Sequence, residues 1–271
     1  MRTIVQLSDI HFGRIDAGLV APLLRTIDTI APDLVAISGD LTQRARRSQF
    51  LQARAFLDRL SCPWLAVPGN HDVPLVNVVA RFVDPYGGYR RYIHQDLEPV
   101  YQDEAMVVVG LNSARSLPFD GSGRLNEAQV ARAAARLTSA PAGVFKIVVT
   151  HHPFDLPKGH GEEHLIGRSG MAMQRLTDAG ADLFLAGHLH VSHVGDTAER
   201  YQHGGHSALV VQAGTLSTRG RGELNTINVP RLARPQIAIE RYTWIESAQA
   251  FQSSWSSAFQ QTANGWSSAR T

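Results

Sequence analysis

Across 271 residues, 44% are hydrophobic and 18% charged, enough apolar content for one large domain with its own core. The formal net charge of +2 is spread over both signs without a long block, which argues against an electrostatic nucleic-acid or membrane binder. A single cysteine, Cys62, excludes an intrachain disulfide and any Cys-rich zinc module, and its apolar setting predicts a small buried side chain. The opening MRTIVQLSDIHFG reads as a strand rather than a signal peptide, and no stretch approaches the ~20 apolar residues of a membrane span. A cytoplasmic protein without a membrane span is therefore expected.

In chain order, buried strands are predicted at 3–9, 33–40, 64–70, 106–112, 145–152 and 182–190, from short runs of Val, Ile and Leu. Most lack alternation, as strands covered on both faces do. Helices are predicted at 18–31, 47–60, 126–137 and 170–180, where apolar residues recur every three or four positions. The N-terminal half thus reads as βαβαβ, which right-handed crossovers turn into a parallel or mixed sheet. After residue 206, HSALVVQAGTLS, GELNTINVP and QIAIERYTW read as antiparallel strands completing a second sheet. The main domain spans 1–245. The Ser- and Gln-rich extension at 246–271 carries Phe251, Trp255, Phe259 and Trp266 and is predicted to pack as a short helix, with a lid or a dimer contact as the alternatives.

The polar residues fall where the strands end: Asp9 and His11, Asp40, Asn70 and His71, His151 and His152, His188 and His190. In open α/β sheets the carboxyl ends of the strands line the ligand crevice, so these side chains should converge. Their oxygens and imidazoles match the ligands of Zn, Mn and Fe, and there are more of them than one centre with an open position would use. Two ions ~3.5–4 Å apart can clamp an in-line phosphoryl displacement, and one carboxylate must bridge them. Asp40 is the natural bridge, at the end of a strand between those carrying Asp9 and Asn70.

DIH at 9–11, GDLT at 39–42, GNHD at 69–72, THHP at 150–153 and GHLH at 187–190 closely resemble, in that order, the motifs of the calcineurin-like metallophosphoesterases. Their short forms are most similar to those of the bacterial class III cyclic-nucleotide phosphodiesterases and their broad-specificity phosphodiesterase relatives. The resemblance implies a four-layer αββα sandwich with two mixed β-sheets and a dinuclear metal site at the strand carboxyl ends. It also implies that Asp9, His11 and His190 hold one transition-metal ion, that Asn70, His151 and His188 hold another, and that Asp40 bridges them. His71 would stabilise or protonate the leaving oxygen, and a metal-bridging hydroxide would attack phosphorus.

Elementary stereochemistry fits that division. Asn70 adds an amide oxygen without another negative charge, and extended backbone would turn His71 away from it while keeping His188 and His190 on one side, with Leu189 toward the core. Gly39, Gly69 and Gly187 permit tight turns before the ligands. One departure stands out: where many relatives carry a second acid that orients the catalytic histidine, this chain has Gln43. Asp72 is then a candidate for that task, or alternatively for holding the turn.

For substrate contacts, the connections after the ligand motifs are the natural source. Residues 81–96 bring Arg81, Arg90 and Arg91 near three tyrosines, 153–168 form a long loop, and His152 adjoins a ligand. His152, Arg90 and Arg91 are the candidates. The expected partner is a small phosphodiester, with a 3′,5′-cyclic nucleotide first. A broad diesterase acting on small, nucleotide-sugar or lipid-linked phosphates is the alternative, and a non-catalytic scaffold the remaining one. No basic track or aromatic ladder for a nucleic-acid strand is visible, so no stable nucleic-acid complex is expected, and a homodimer is compatible with the chain.

Overall fold

Alternate side chains of β1 (Arg2–Leu7) enter different cores, and this sets the layering: Ile4 points one way, Val5 and Leu7 the other. In the computed structural model, residues 1–117, 121–197, 200–201 and 206–268 are described. The chain continues through α1 (Ala17–Ile30), β2 (Leu34–Ile37), α2 (Arg47–Leu57), β3 (Trp64–Ala66), α3 (Val78–Val83), α4 (Gly87–Tyr92), β4 (Val100–Gln102), β5 (Met106–Gly110) and α5 (Glu127–Thr138). There follow β6 (Phe145–Val149), α6 (Ser169–Asp178), β7 (Leu183–Ala186), β8 (His193–Asp196), β9 (Leu209–Gln212), β10 (Thr226–Ala233), β11 (Gln236–Ile245), β12 (Ala250–Thr262) and β13 (Gly265–Ser268).

Three apolar interfaces separate four layers. Leu19, Leu23 and Ile27 of α1, with Phe50, Ala53 and Phe56 of α2, cover Val5, Leu7, Val35 and Ile37 on the outer face of one sheet. Ile4, Leu34 and Ala36 on its inner face meet Val108, Ile147, Val149 and Leu183 of the other. Val107, Val109 and Val148 on the far side of that sheet pack under Val130, Leu137, Met173 and Leu176 of α5 and α6. The result is the expected αββα sandwich. Its sheets run β13-β12-β11-β10-β1-β2-β3 and β4-β5-β6-β7-β9-β8, each mixing parallel and antiparallel pairs. Buried Gln6 ties them together below the carboxyl ends: its amide donates to the Ala186 carbonyl at 2.9 Å, and its Oε1 accepts from Asn228 at 3.1 Å.

Several expectations are corrected. Only one of the three late strand candidates joins the second sheet. β9 joins it parallel to β7, whereas β10 pairs antiparallel with the edge of β1 left open by β2, so that β10 to β13 widen the first sheet. The extension is not a short helix: β12 pairs with β11 along its length, and β13 folds back on β12. Aromatics four apart share a face in both a helix and a strand, so the spacing of Phe251, Trp255 and Phe259 did not separate the two. Phe251, Phe259 and Trp266 are buried, Trp255 is exposed, and residues 269–271 lie outside the described residues. Residues 81–96 contain α4, anchored by Tyr89 and Ile93 one turn apart, rather than forming a loop. Cys62 is half-buried at the margin of the first core. Among the described residues no helix is long and apolar enough to cross a membrane.

Candidate metal centre

The strands stop short of their polar residues because those residues leave β geometry. Asp9, His11, Asp40, His188 and His190 have φ of 51°, 49°, 53°, 77° and 60°. For residues with a Cβ, left-handed backbone costs on the order of 1–2 kcal/mol each, and the surrounding structure has to impose it. Backbone bonds from Asp9 N to the Gly39 carbonyl (3.2 Å) and from His11 N to the Asp40 carbonyl (2.9 Å) hold the first two loops side by side. Gly39 takes φ of 83° beside the His151 ring, and a side chain at Gly69 would overlap the Asp40 carboxylate. His188 and His190 therefore converge through left-handed turns rather than by strand alternation, and Asn70 to Asp72 form a 3₁₀ turn rather than extended chain. Leu189 does point into the core.

Two sets of ligand atoms result. His190 Nε2 lies 3.1 Å and His11 Nε2 3.5 Å from Asp9 Oδ1, and the two imidazole nitrogens are 3.2 Å apart. Nearby, Asn70 Oδ1 is 3.0 Å from His151 Nε2 and 3.2 Å from His188 Nδ1. Asp40 Oδ2 lies between the sets, 3.6 Å from His11 Nε2 and 3.4 Å from His151 Nε2, while its Oδ1 accepts from the His71 amide at 2.8 Å. In three of the rings the remaining nitrogen turns to a main-chain carbonyl: His11 Nδ1 to Thr42 at 3.4 Å, His151 Nδ1 to Ser38 at 2.8 Å and His190 Nδ1 to Arg219 at 2.9 Å. That arrangement fixes each ring and leaves Nε2 for a metal.

The donor set fits cations. Asp9 Oδ2 accepts from Ser8 Oγ at 2.6 Å and His188 N at 2.9 Å, yet the buried Oδ1 has no hydrogen-bond partner. Lone pairs of neutral imidazoles and carboxylates that face one another repel unless a proton or a metal lies between them. Overlapping groups of possible ligands, Asp9–His11–His190 and Asp9–Asp40–His151 among them, have their ligand atoms within 4.8 Å of one another. Burial alone would raise the Asp9 carboxyl, but the His11, His190 and His151 imidazoles that face it hold it well below the usual carboxylate range. Burial and the neighbouring His152 and His151 rings push His188 well down, so its ring stays neutral.

Asp72 belongs to the turn and not to the imidazole of His71. Its oxygens accept from the amides of Gly69 (3.0 Å), Leu41 (3.1 Å) and Thr42 (2.8 Å) and from Thr42 Oγ1 (2.9 Å). Burial and the Asp40 charge push its carboxyl up to about 6. The His71 ring is oriented from the position where relatives were expected to use an acid, but by the backbone: Nδ1 lies 2.8 Å from the Gln43 carbonyl. Nδ1 thus carries the proton in the neutral ring and Nε2 faces outward, 2.9 Å from Arg219 Nη1.

The candidate substrate contacts do not gather at this centre. Both ring nitrogens of buried His152 are engaged, Nδ1 with Ser113 Oγ and Nε2 with the Gly121 carbonyl, each at 2.8 Å. Its ring is thus held between Ser113 and Gly121, and burial pushes its basicity down to a pKa of about 3. Arg90 is exposed on α4, 3.6 Å from Asp84 and over the Tyr86 ring, and Arg91 lies over Tyr92. Neither guanidinium contacts the cluster among the described residues. Arg81 is buried, donating to the carbonyls of Ser116 at 2.6 Å and Pro74 at 3.0 Å. Arg219, in contrast, was not singled out by its sequence; its only signal is a cationic side chain shortly after a strand end in AGTLSTRG.

These features are those of a metallophosphoesterase, and residues 2–192 match the calcineurin-like phosphoesterase family, to which the chain belongs. A probable cyclic nucleotide phosphodiesterase from Synechococcus sp. is 27% identical over 164 residues, 56% of this chain and 58% of that protein. A probable glycerophosphodiester phosphodiesterase from Arcobacter nitrofigilis is 27% identical over 147 residues, 52% of this chain and 50% of its own length. The chain spans about half the length of the curated relatives it matches. The crystal structure of a dimetal phosphatase from Danio rerio shares the fold, with a TM-score of 0.65 at 13% identity over 93% of this chain and 98% of that one.

Proposed function

We propose that this chain hydrolyses phosphodiester bonds at a centre of two transition-metal ions, drawn from Fe, Mn and Zn. The observation that carries this reading is the position of Asp40 Oδ2 between two nitrogen and oxygen clusters, 3.6 Å from His11 and 3.4 Å from His151. Asp9, His11 and His190 would hold one ion, Asn70, His151 and His188 the other, with Asp40 shared between them. Bound there, the ions supply Lewis acidity at the phosphoryl oxygens and lower the pKa of the attacking water. His71, anchored at Nδ1 by the Gln43 carbonyl, presents Nε2 to the leaving oxygen and delivers a proton when it carries one there. Asp72 fixes the turn that aims it.

A 3′,5′-cyclic nucleotide and a glycerophosphodiester are both supported as substrates by the names of the relatives. A purely scaffolding chain would have no need for the buried, unanswered Asp9 Oδ1. Metal analysis should give about two ions per chain, and chelation should abolish hydrolysis of bis(p-nitrophenyl) phosphate. Full activity in a metal-free preparation overturns the proposal. Cyclic nucleotides, linear dinucleotides, nucleotide-sugar diphosphates and glycerophosphodiesters, assayed with Mn and Zn, then decide the substrate; turnover of monoesters alone rules out a diesterase.

A further inference from the structure

Arg219 reaches both halves of the site, by its backbone and by its side chain. The segment leading to it is bound to the ligand loops: Thr215 Oγ1 donates to the Asp9 carbonyl at 2.8 Å, Ser217 Oγ lies 2.8 Å from Thr215 Oγ1, and Arg219 N donates to Ser217 Oγ at 3.2 Å. Asn225 Nδ2 closes the segment from outside, donating to the carbonyls of Thr215 at 3.1 Å and Ser217 at 2.9 Å. The Arg219 carbonyl then orients His190, and Nη1 extends to His71 Nε2 at 2.9 Å.

The guanidinium has an unusual environment for a half-buried cation. Among the described residues no carboxylate forms an ion pair with it; the nearest named partner of its fork is one imidazole nitrogen, which uses one of five N–H donors. The carboxylates at the centre, Asp9 and Asp40, face the imidazoles instead. A planar cation with spare parallel donors, on a fixed backbone beside a phosphoester centre, matches two oxygens of a phosphoryl group.

We propose that Arg219 is a substrate-binding residue whose guanidinium takes the non-bridging oxygens of the phosphoryl group, resting on His71 Nε2 until substrate arrives. The proposal rests on the hydrolase reading above. Binding moves the guanidinium from the imidazole to the phosphate and opens Nε2 toward the leaving oxygen, so the residue that holds the anion also uncovers the one beside the scissile bond. No bond is made or broken in this step. A lysine would keep the charge but not the fork.

The test uses the full chain loaded with Mn, with inorganic phosphate as the probe and calorimetry as the readout, so that it does not depend on turnover. Arg219→Ala should weaken phosphate binding about tenfold or more, the scale of a lost charge-assisted hydrogen bond, with metal content unchanged. Arg219→Lys should recover part of the loss. On bis(p-nitrophenyl) phosphate, KM should rise by a larger factor than kcat falls. Phosphate affinity within twofold of the unmodified protein in Arg219→Ala overturns the proposal, as does loss of metal, which would make Arg219 a support for His190. Absence of phosphate binding by the unmodified, metal-loaded chain overturns it too. Phosphate binding without diester turnover would instead leave Arg219 in place and remove the hydrolase reading.

Discussion

Two fully buried carboxylate sites lie at opposite ends of the same pair of sheets. Asp182 precedes β7 at its amino end and is 1% exposed, like Asp40 beyond the carboxyl end of β2. Every lone pair needed at Asp182 is answered by protein: Trp266 Nε1 donates at 2.8 Å, Arg234 Nη2 at 2.7 Å and Lys146 N at 2.9 Å. Arg234 in turn lies over Phe145 and Trp266, with its charge centre 4.5 and 5.7 Å from the ring centroids. At the other end Asp9, Asp40 and Asp72 crowd together, Asp9 Oδ1 is unanswered, and several backbones are left-handed. A buried charge that the protein neutralises binds the fold together; buried lone pairs that it leaves facing one another make a place for a cation.

The sharpest way to break this contrast is Asp40→Asn, which keeps the acceptor for the His71 amide and removes the charge. Activity should fall by about a thousandfold or more, and bound metal below two ions per chain, because a neutral amide is a poor bridge. Next in size is His71→Ala: metal analysis should still give about two ions per chain while kcat drops about a hundredfold or more, the range for a lost general acid. Loss of metal would make His71 a ligand.

The same contrast explains what could be read from sequence. Ligand chemistry at the ends of apolar runs is visible because Asp, Asn and His there have no structural reason to cluster, and the strands bring Asp9, Asp40, Asn70, His151 and His190 together. Their conformation was not visible: no propensity indicates φ of 60° at His190. Nor was the support for His71, since the Gln43 contact is a carbonyl that any residue supplies. Arg219 is a lone cation in a Ser- and Gly-rich stretch and becomes notable only when the chain folds it against His71. The Asp182 network is equally hidden, since its partners Lys146, Arg234 and Trp266 are far apart in the chain. There the residue types suggest an ordinary surface ion pair, and only burial makes them structural.

Asp182→Ala therefore probes the opposite end. It leaves Arg234 and the Trp266 indole without their shared acceptor and should cost about 3–5 kcal/mol, the range for breaking a buried pair, read by urea denaturation. Metal content and kcat per folded molecule should be unchanged. A variant of unaltered stability would mean that the buried network is no more than the sum of its packing.

A smaller effect tests an intermediate case, where a carboxylate is answered but only partly buried. Asp155 lies 3.0 Å from His193 Nε2 and 2.6 Å from Arg200 Nε, and it fastens the loop after THHP to β8. Burial opposes its charged form, but His193, Arg200 and the Leu156 amide outweigh burial and lower its pKa. A carboxyl lowered on folding contributes stability above its unfolded value of about 3.9, and that contribution disappears as pH falls through the folded value. Asp155→Asn should thus cost the metal-free protein within about 1 kcal/mol near neutral pH, discounted for solvent screening, and the difference should close below about pH 4. Urea midpoints measured for both proteins from pH 7 down to pH 3 decide it. A gap that persists undiminished at the acid end would show that the loop is held by the shape and hydrogen bonds of residue 155 rather than by its charge.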